Sequence, residues 1–218
     1  MSAHRKRTAI LISGRGSNMA ALVKAAQKVD FPAKIDLVLS NREDAAGLEF
    51  AAAHGVPTRV LSHKGYADRA AFDTALDGLL REEGIEIVCL AGFMRLLTPW
   101  LVEQWQDRMI NVHPSILPSF KGLHTHERAL EMGVRVHGCT VHFVRAEMDA
   151  GPIILQAVVP IEADDTPDTL ADRVLMQEHI IYPKGLELLA ADRLSVDNER
   201  VRISGVRRGP APLISPAV

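Results

Sequence analysis

The sequence predicts an α/β domain: a doubly wound, mostly parallel sheet with helices on both faces, completed in the C-terminal half by an antiparallel strand pair. Three observations carry that prediction. Short runs such as TAILIS and IVCLAG are apolar at successive positions, as strands covered on both faces must be. Through the first half these runs alternate with segments of helical spacing, the pattern of a parallel sheet wound with crossover helices. After residue 133 the alternation stops, and two extended runs follow one another across a short connection.

The elements read in order. TAILIS (8–13) is the first strand and NMAALVKAAQKV (18–29) the first helix. AKIDLVLS (33–40) is a strand, AAGLEFAAAHG (45–55) a helix closed by Gly55, and PTRVLS (57–62) a short strand. YADRAAFDTALDGLLREEG (66–84) is a long helix with an apolar stripe at 72, 75, 76, 79 and 80, stopped by Gly84. IEIVCLAG (85–92) is a strand, and TPWLVEQW (98–105) a helix with Thr98 as cap and Pro99 in its first turn. RMINVH (108–113) ends the parallel part; HGCTVHFV (137–144) and GPIILQAVVPI (151–161) form the antiparallel pair. TPDTLADRVLMQEHIIYPKGLELLAA (166–191) is a long helix that Pro183 is expected to break or kink. LSVDNERVRIS (194–204) reads as a hairpin, and GPAPLISPAV as a Pro-rich, frayed tail. The expected organisation is a flexible start (1–7), one domain (8–193), then hairpin and tail (194–218).

Composition narrows the function. The chain has 218 residues, 47% of them apolar, which supports a real core and excludes global disorder. A net charge of −2 and 5% aromatics argue against a nucleic-acid partner. Cys89 and Cys139 both sit in apolar runs, as core thiols of a reducing compartment do. The apolar run near the start is too short for a signal peptide, and no stretch approaches the ~20 residues of a membrane span. The expectation is a cytoplasmic protein without a membrane partner.

SGRGSN (13–18) joins the first strand to the first helix. Gly14 and Gly16 allow a tight turn and a close backbone approach, and the helix start offers free N–H groups to an anion. The dinucleotide pattern G-x-G-x-x-G is incomplete, since Met19 stands where the third glycine would be. Arg42 keeps an NADP reading open, and a plain capped turn is the bland alternative.

The stretch MINVHPSILPSFKG (109–122) carries the most chemistry. Asn111 and His113 are two apart on a strand, so they share a face while Val112 takes the other. They stand at the strand's carboxyl end, where such sheets bind ligands. An imidazole can move a proton, and an amide can donate to an oxygen that becomes negative. The Leu117–Pro118 bond is a candidate for cis. Asp149, in the shaped loop EMDAGP, could orient the imidazole, although spacing alone does not pair it with His113. His124, His126, His137 and His142 read as loop and strand residues, with no metal-ligand spacing. Phe93, Met94 and Arg95 close the preceding strand, either as core or as the wall of a flat ligand's site.

Taken together, LISGRGSN, LAGFMRLL, INVHPSILPSF, KGLHTH, HGCTVHFV, DAGPIILQ and QEHIIYP closely resemble the folate-dependent phosphoribosylglycinamide formyltransferases, in order over about residues 8 to 190. The resemblance implies a catalytic trio of Asn111, His113 and Asp149. It places a nucleotide phosphate on Gly16, Ser17 and Asn18, and the glycinamide end of that substrate on Glu178. It places folate on Arg69, on Phe93, Met94, Arg95, Leu96 and Leu97, and on the loop of Arg145, Ala146, Glu147 and Met148 leading to Asp149. The implied substrates are glycinamide ribonucleotide and, as one-carbon donor, 10-formyltetrahydrofolate; no metal is implied, and a homodimer is compatible. Arg15 departs from the family, which often has Asn there. The rivals are a 10-formyltetrahydrofolate hydrolase or a methionyl-tRNA formyltransferase, for which the expected extra domains do not fit this length, an NADP-dependent oxidoreductase, and a non-catalytic nucleotide-binding module.

Overall fold

The first strand, β1 (Lys6–Ile12), sends Ala9 and Leu11 to one face of a sheet and Ile10 and Ile12 to the other, all fully buried. That two-sided burial is why the run is apolar throughout. The structure, a computed structural model, describes residues 4–205 and Ser215. The tail read as frayed otherwise lies outside the described residues, as do residues 1–3 of the start read as flexible.

Around β1 the chain winds α1 (Ser17–Ala26), β2 (Ala33–Ser40), α2 (Gly47–Ala53), β3 (Thr58–Val60), α3 (Arg69–Glu82), β4 (Ile87–Leu90), α4 (Pro99–Gln104) and β5 (Met109–His113). Then come α5 (Thr125–Glu131), β6 (Val136–Phe143), β7 (Ile153–Pro160) and α6 (Pro167–Ala190), with a separate hairpin of β8 (Leu194–Asp197) and β9 (Arg200–Ile203). The seven-stranded sheet has the order β3-β2-β1-β4-β5-β6-β7; it is parallel up to β5 and antiparallel for β6 and β7. One core lies under α1 and α6, built on Ile10, Ile12, Met19, Leu22, Tyr182 and Leu186. The other lies under α3 and α4, built on Leu11, Leu39, Phe72, Leu76 and Trp105.

Differences from the sequence reading have local causes. The chain is already in β1 at Lys6, whose N–H donates to the carbonyl of Pro32 at 2.8 Å, so the ordered part begins before residue 8. α3 starts at Arg69 because Asp68 caps it, accepting the N–H of Ala71 at 2.8 Å. α5 carries no long apolar stripe and was not anticipated. α6 runs on through Pro183. Its neighbour Tyr182 is fully buried and its hydroxyl reaches the carbonyls of Leu90 and Ile110 at 2.8 and 3.1 Å, bolting the helix to β4 and β5. Tertiary packing thus outweighs the missing N–H of the proline. Removing that hydroxyl by Tyr182→Phe is expected to cost about 1–2 kcal/mol, because buried carbonyls lose their donor. Urea unfolding measures it, and an unchanged midpoint would refute the bolt.

Candidate active site

β5 delivers Asn111 and His113 to the carboxyl edge of the sheet, and Val112 to the opposite face and the core. β6 returns antiparallel beside it, with Asn111 opposite His142 and His113 opposite Thr140. The register decides which side chains meet. His142 Nδ1–H donates to the carbonyl of Phe143 at 2.9 Å, which leaves Nε2 as an acceptor. Asn111 Nδ2 donates to that Nε2 at 3.3 Å. One amide N–H of Asn111 is thereby committed, its orientation is set, and the second N–H is left for another acceptor. Burial pushes the His142 pKa below its ordinary value and so favours the neutral ring that this bond requires.

Asp149 arrives from the loop between β6 and β7, on a left-handed residue with φ 52°. Its Oδ2 accepts the N–H of Gly122 at 2.8 Å and lies 3.5 Å from His113 Nδ1; its Oδ1 lies 3.9 Å from His142 Nε2. The pairing that spacing could not establish is present. The other nitrogen of His113, Nε2, donates to the carbonyl of Phe120 at 3.0 Å. Both ring nitrogens of His113 therefore face acceptors.

The loop supplying the Phe120 carbonyl is tightly fastened. Thr140 Oγ1 donates to the carbonyl of Ser115 at 2.7 Å and accepts the N–H of Leu117 at 3.0 Å; Gln156 Nε2 donates to the carbonyl of Leu117 at 2.8 Å. The Leu117–Pro118 bond is cis, and Phe120 has φ 56°. His142, the Phe120 carbonyl and the N–H of Gly122 escaped the sequence reading. Only the β5–β6 register could have exposed His142, and backbone groups leave no signal in a sequence.

Two strands away, across β4, β1 runs into the glycine loop. Gly16 is left-handed, φ 72°, and α1 starts after it without a side-chain cap. The first turn of α1 is closed by Ala20 N–H to the Gly16 carbonyl at 2.8 Å, so the N–H groups of Ser17, Asn18 and Met19 have no partner within the helix. The loop is held from two sides. Gly47 N–H donates to the carbonyl of Gly14 at 3.1 Å, and a Cβ on Gly16 would lie 3.2 Å from the Gly47 Cα. Ser13 Oγ donates to Asn41 Oδ1 at 2.6 Å and accepts the N–H of Met94 at 2.9 Å. From α6, the buried Glu178 accepts a hydrogen bond from Asn18 Nδ2 at 2.6 Å, and burial raises its pKa.

The residues read as a folate wall divide. Met94, Leu96 and Met148 are exposed apolar side chains, at 73%, 60% and 52%. Phe93 is buried in the core beneath α3, Leu97 is half-buried against it, and the Arg95 guanidinium stacks 4.5 Å from the Phe72 ring. Arg69 stands exposed at the start of α3, and Ala146 is exposed. Glu147 pairs with Lys121 at 2.8 Å, and Arg145 is engaged by Asp107 and Glu199. Arg42, the candidate for an NADP phosphate, is paired with Asp44 through two hydrogen bonds of 2.9 and 2.6 Å. Among the described residues no three His, Cys, Asp or Glu side chains gather into a metal-binding set.

An amide, an imidazole and a carboxylate beside an uncapped helix start suit acyl transfer to or from a phosphorylated substrate. Residues 6–186 match the formyl transferase family, and the chain belongs to that family. The chain is 42% identical over 201 residues to the phosphoribosylglycinamide formyltransferase of Escherichia coli, covering 92% of this chain and 95% of that one. It is 52% identical over 187 residues to the human trifunctional purine biosynthetic protein adenosine-3, covering 86% of this chain but only 18% of that much longer protein. The crystal structure of glycinamide ribonucleotide transformylase 1 from Symbiobacterium toebii superposes with a TM-score of 0.89 at 45% identity, covering 92% of this chain and 94% of that one.

The buried imidazoles set a pH dependence. Burial pushes His126, His137, His142 and His179 below their ordinary value, and His137 falls from 6.5 to about 4. His137 packs edge-on against Phe120 and His126, at 5.6 and 5.2 Å between ring centroids. Between those two pH values the unfolded chain binds more protons than the folded one. The contribution of neutral His137 to stability is therefore complete above pH 6.5 and is lost as the pH falls toward about 4. His137→Asn is expected to flatten the fall in urea midpoint across that window; an unchanged slope would contradict the assignment.

Proposed function

We propose that this chain transfers the formyl group of 10-formyltetrahydrofolate to the primary amine of glycinamide ribonucleotide. The single observation that carries the reading is the convergence of Asp149 on His113 at 3.5 Å, beside an Asn111 whose amide is held by His142 at 3.3 Å. The uncapped start of α1 receives the nucleotide's phosphate, on Gly16, Ser17 and Asn18. Glu178, tied to Asn18, faces the glycinamide end. The exposed apolar side chains of Met94, Leu96 and Met148 offer a wall to the flat pterin.

The amine attacks the formyl carbon and a tetrahedral oxyanion forms. The uncommitted N–H of Asn111 donates to that oxygen, and His113 Nε2–H turns to it from the Phe120 carbonyl. Asp149 holds the other side of the charged ring. A C–N bond to the acceptor forms, the bond from the formyl carbon to folate N10 breaks, and a proton passes from the attacking nitrogen to N10. His113, or a water on Asp149, carries it. One preorganised donor of this kind contributes on the order of 3 kcal/mol to lowering the barrier.

Mixing the chain with both substrates tests the reading. Formylated nucleotide and tetrahydrofolate are expected in equal amounts; consumption of the folate without nucleotide would instead define a hydrolase. His113→Ala and Asp149→Ala should each lower kcat by roughly 100-fold or more while nucleotide affinity changes little. Near-normal turnover in both would remove the mechanism. Gly16→Val should act the other way, weakening nucleotide binding. It forces a β-branched residue to φ 72° with its Cβ 2.9 Å from the Met19 methyl. Calorimetric titration with the nucleotide reads this directly, and unaltered affinity would move the phosphate elsewhere.

A further inference from the structure

The turn of the C-terminal hairpin reaches the loop that carries Asp149, and Arg145 is the link. Its Nε donates to Glu199 Oε2 at 2.8 Å, and its Nη2 to Asp107 Oδ1 at 2.7 Å and to Glu199 Oε1 at 3.3 Å. Nη1 donates to the carbonyl of Val144 at 3.1 Å. The Arg145 side chain is only 16% exposed. Asp107, Asn198 and Glu199 are all left-handed, with φ 55°, 49° and 56°. Two separate turns, one before β5 and one between β8 and β9, thus aim carboxylates at one guanidinium. The family match ends at residue 186, so Glu199 stands outside it.

The far end of the same loop is fixed differently. A Cβ on Gly151 would lie 1.8 Å from the carbonyl oxygen of Phe143 and 3.2 Å from Arg145 Cγ. The loop leaves β6 after Phe143, passes Arg145 and returns through Gly151 packed against that departure point. Asp149 sits two residues before the return. A lone exposed ion pair would do little here. A planar fork with a largely buried stem, shared by carboxylates from two elements, holds a defined orientation.

We propose that the C-terminal hairpin is a positioning element: Glu199, with Asp107, holds Arg145 and so fixes the stem of the loop that presents Asp149 to His113. Arg145 is then a positioning residue rather than a folate ligand. The kinetic half of the test rests on the formyl-transfer reading; the structural half does not.

The test compares the full chain with Glu199→Gln, Asp107→Asn and the double variant. Amide hydrogen exchange across residues 146–150 should speed up in the double variant, with exchange in β1 and α1 unchanged. In formyl transfer kcat should fall roughly 3- to 10-fold while KM for the nucleotide stays put, since the glycine loop is untouched. Arg202→Gln is the control: it removes a pair internal to the hairpin, Arg202 Nη2 to Asp197 Oδ2 at 2.7 Å, and should change neither readout. Unaltered exchange in the double variant overturns the proposal, as does faster exchange without a loss of kcat, or an equal loss in Arg202→Gln. Should the unsubstituted chain transfer no formyl group, the functional reading fails, and the exchange comparison still decides whether the hairpin holds the loop.

Discussion

The reactive end of this molecule depends on the register of one strand pair, β6 against β5. With Asn111 opposite His142 and His113 opposite Thr140, the neutral imidazole meets the amide, and the Thr140 hydroxyl meets the loop that bears the Phe120 carbonyl. A shift of one residue would turn every β6 side chain to the other face. His142 would enter the core, Val141 would face the reaction, and Asn111 would lose the acceptor that fixes its amide. The antiparallel addition places β6 side chains beside those of Asn111 and His113.

The two imidazoles on that edge have opposite duties, and their surroundings separate them. His142 gives Nδ1–H to the Phe143 carbonyl and keeps a free lone pair on Nε2, with burial favouring the neutral form. His113 has an acceptor at each nitrogen, one of them a carboxylate. One ring is an acceptor that orients an amide; in the proposed transfer the other is the donor. Their closeness supports the division, since a charge on His113 further disfavours one on His142.

Much of this could be read from the chain, and what could not has a physical reason. Continuous apolar runs marked the central parallel strands, a short run β3 and extended runs β6 and β7, and period-two logic put Asn111 and His113 on one face. The helix does not break at Pro183: a proline's local cost is visible in a sequence, whereas the Tyr182 hydroxyl bonded to two strands is not. The meeting of Asp149 with His113 was expected only by resemblance, because loop closure over that separation leaves no periodic trace. The pairing of Arg145 with Asp107 and Glu199 was equally hidden, since it comes from turns that no motif joins. Side chains that act through elements remote in sequence stayed invisible; those placed by their own element's period did not.

The Ser13 hydroxyl has a wider reach than its size implies. It donates to Asn41 at the end of β2 and accepts from the Met94 backbone after β4, while its own strand leads into the glycine turn. The glycine turn and the segment that exposes Met94 are thus mortised on one oxygen. Ser13 therefore couples the turn before α1 to the segment after β4, so that a displacement of one is carried to the other through a single hydroxyl.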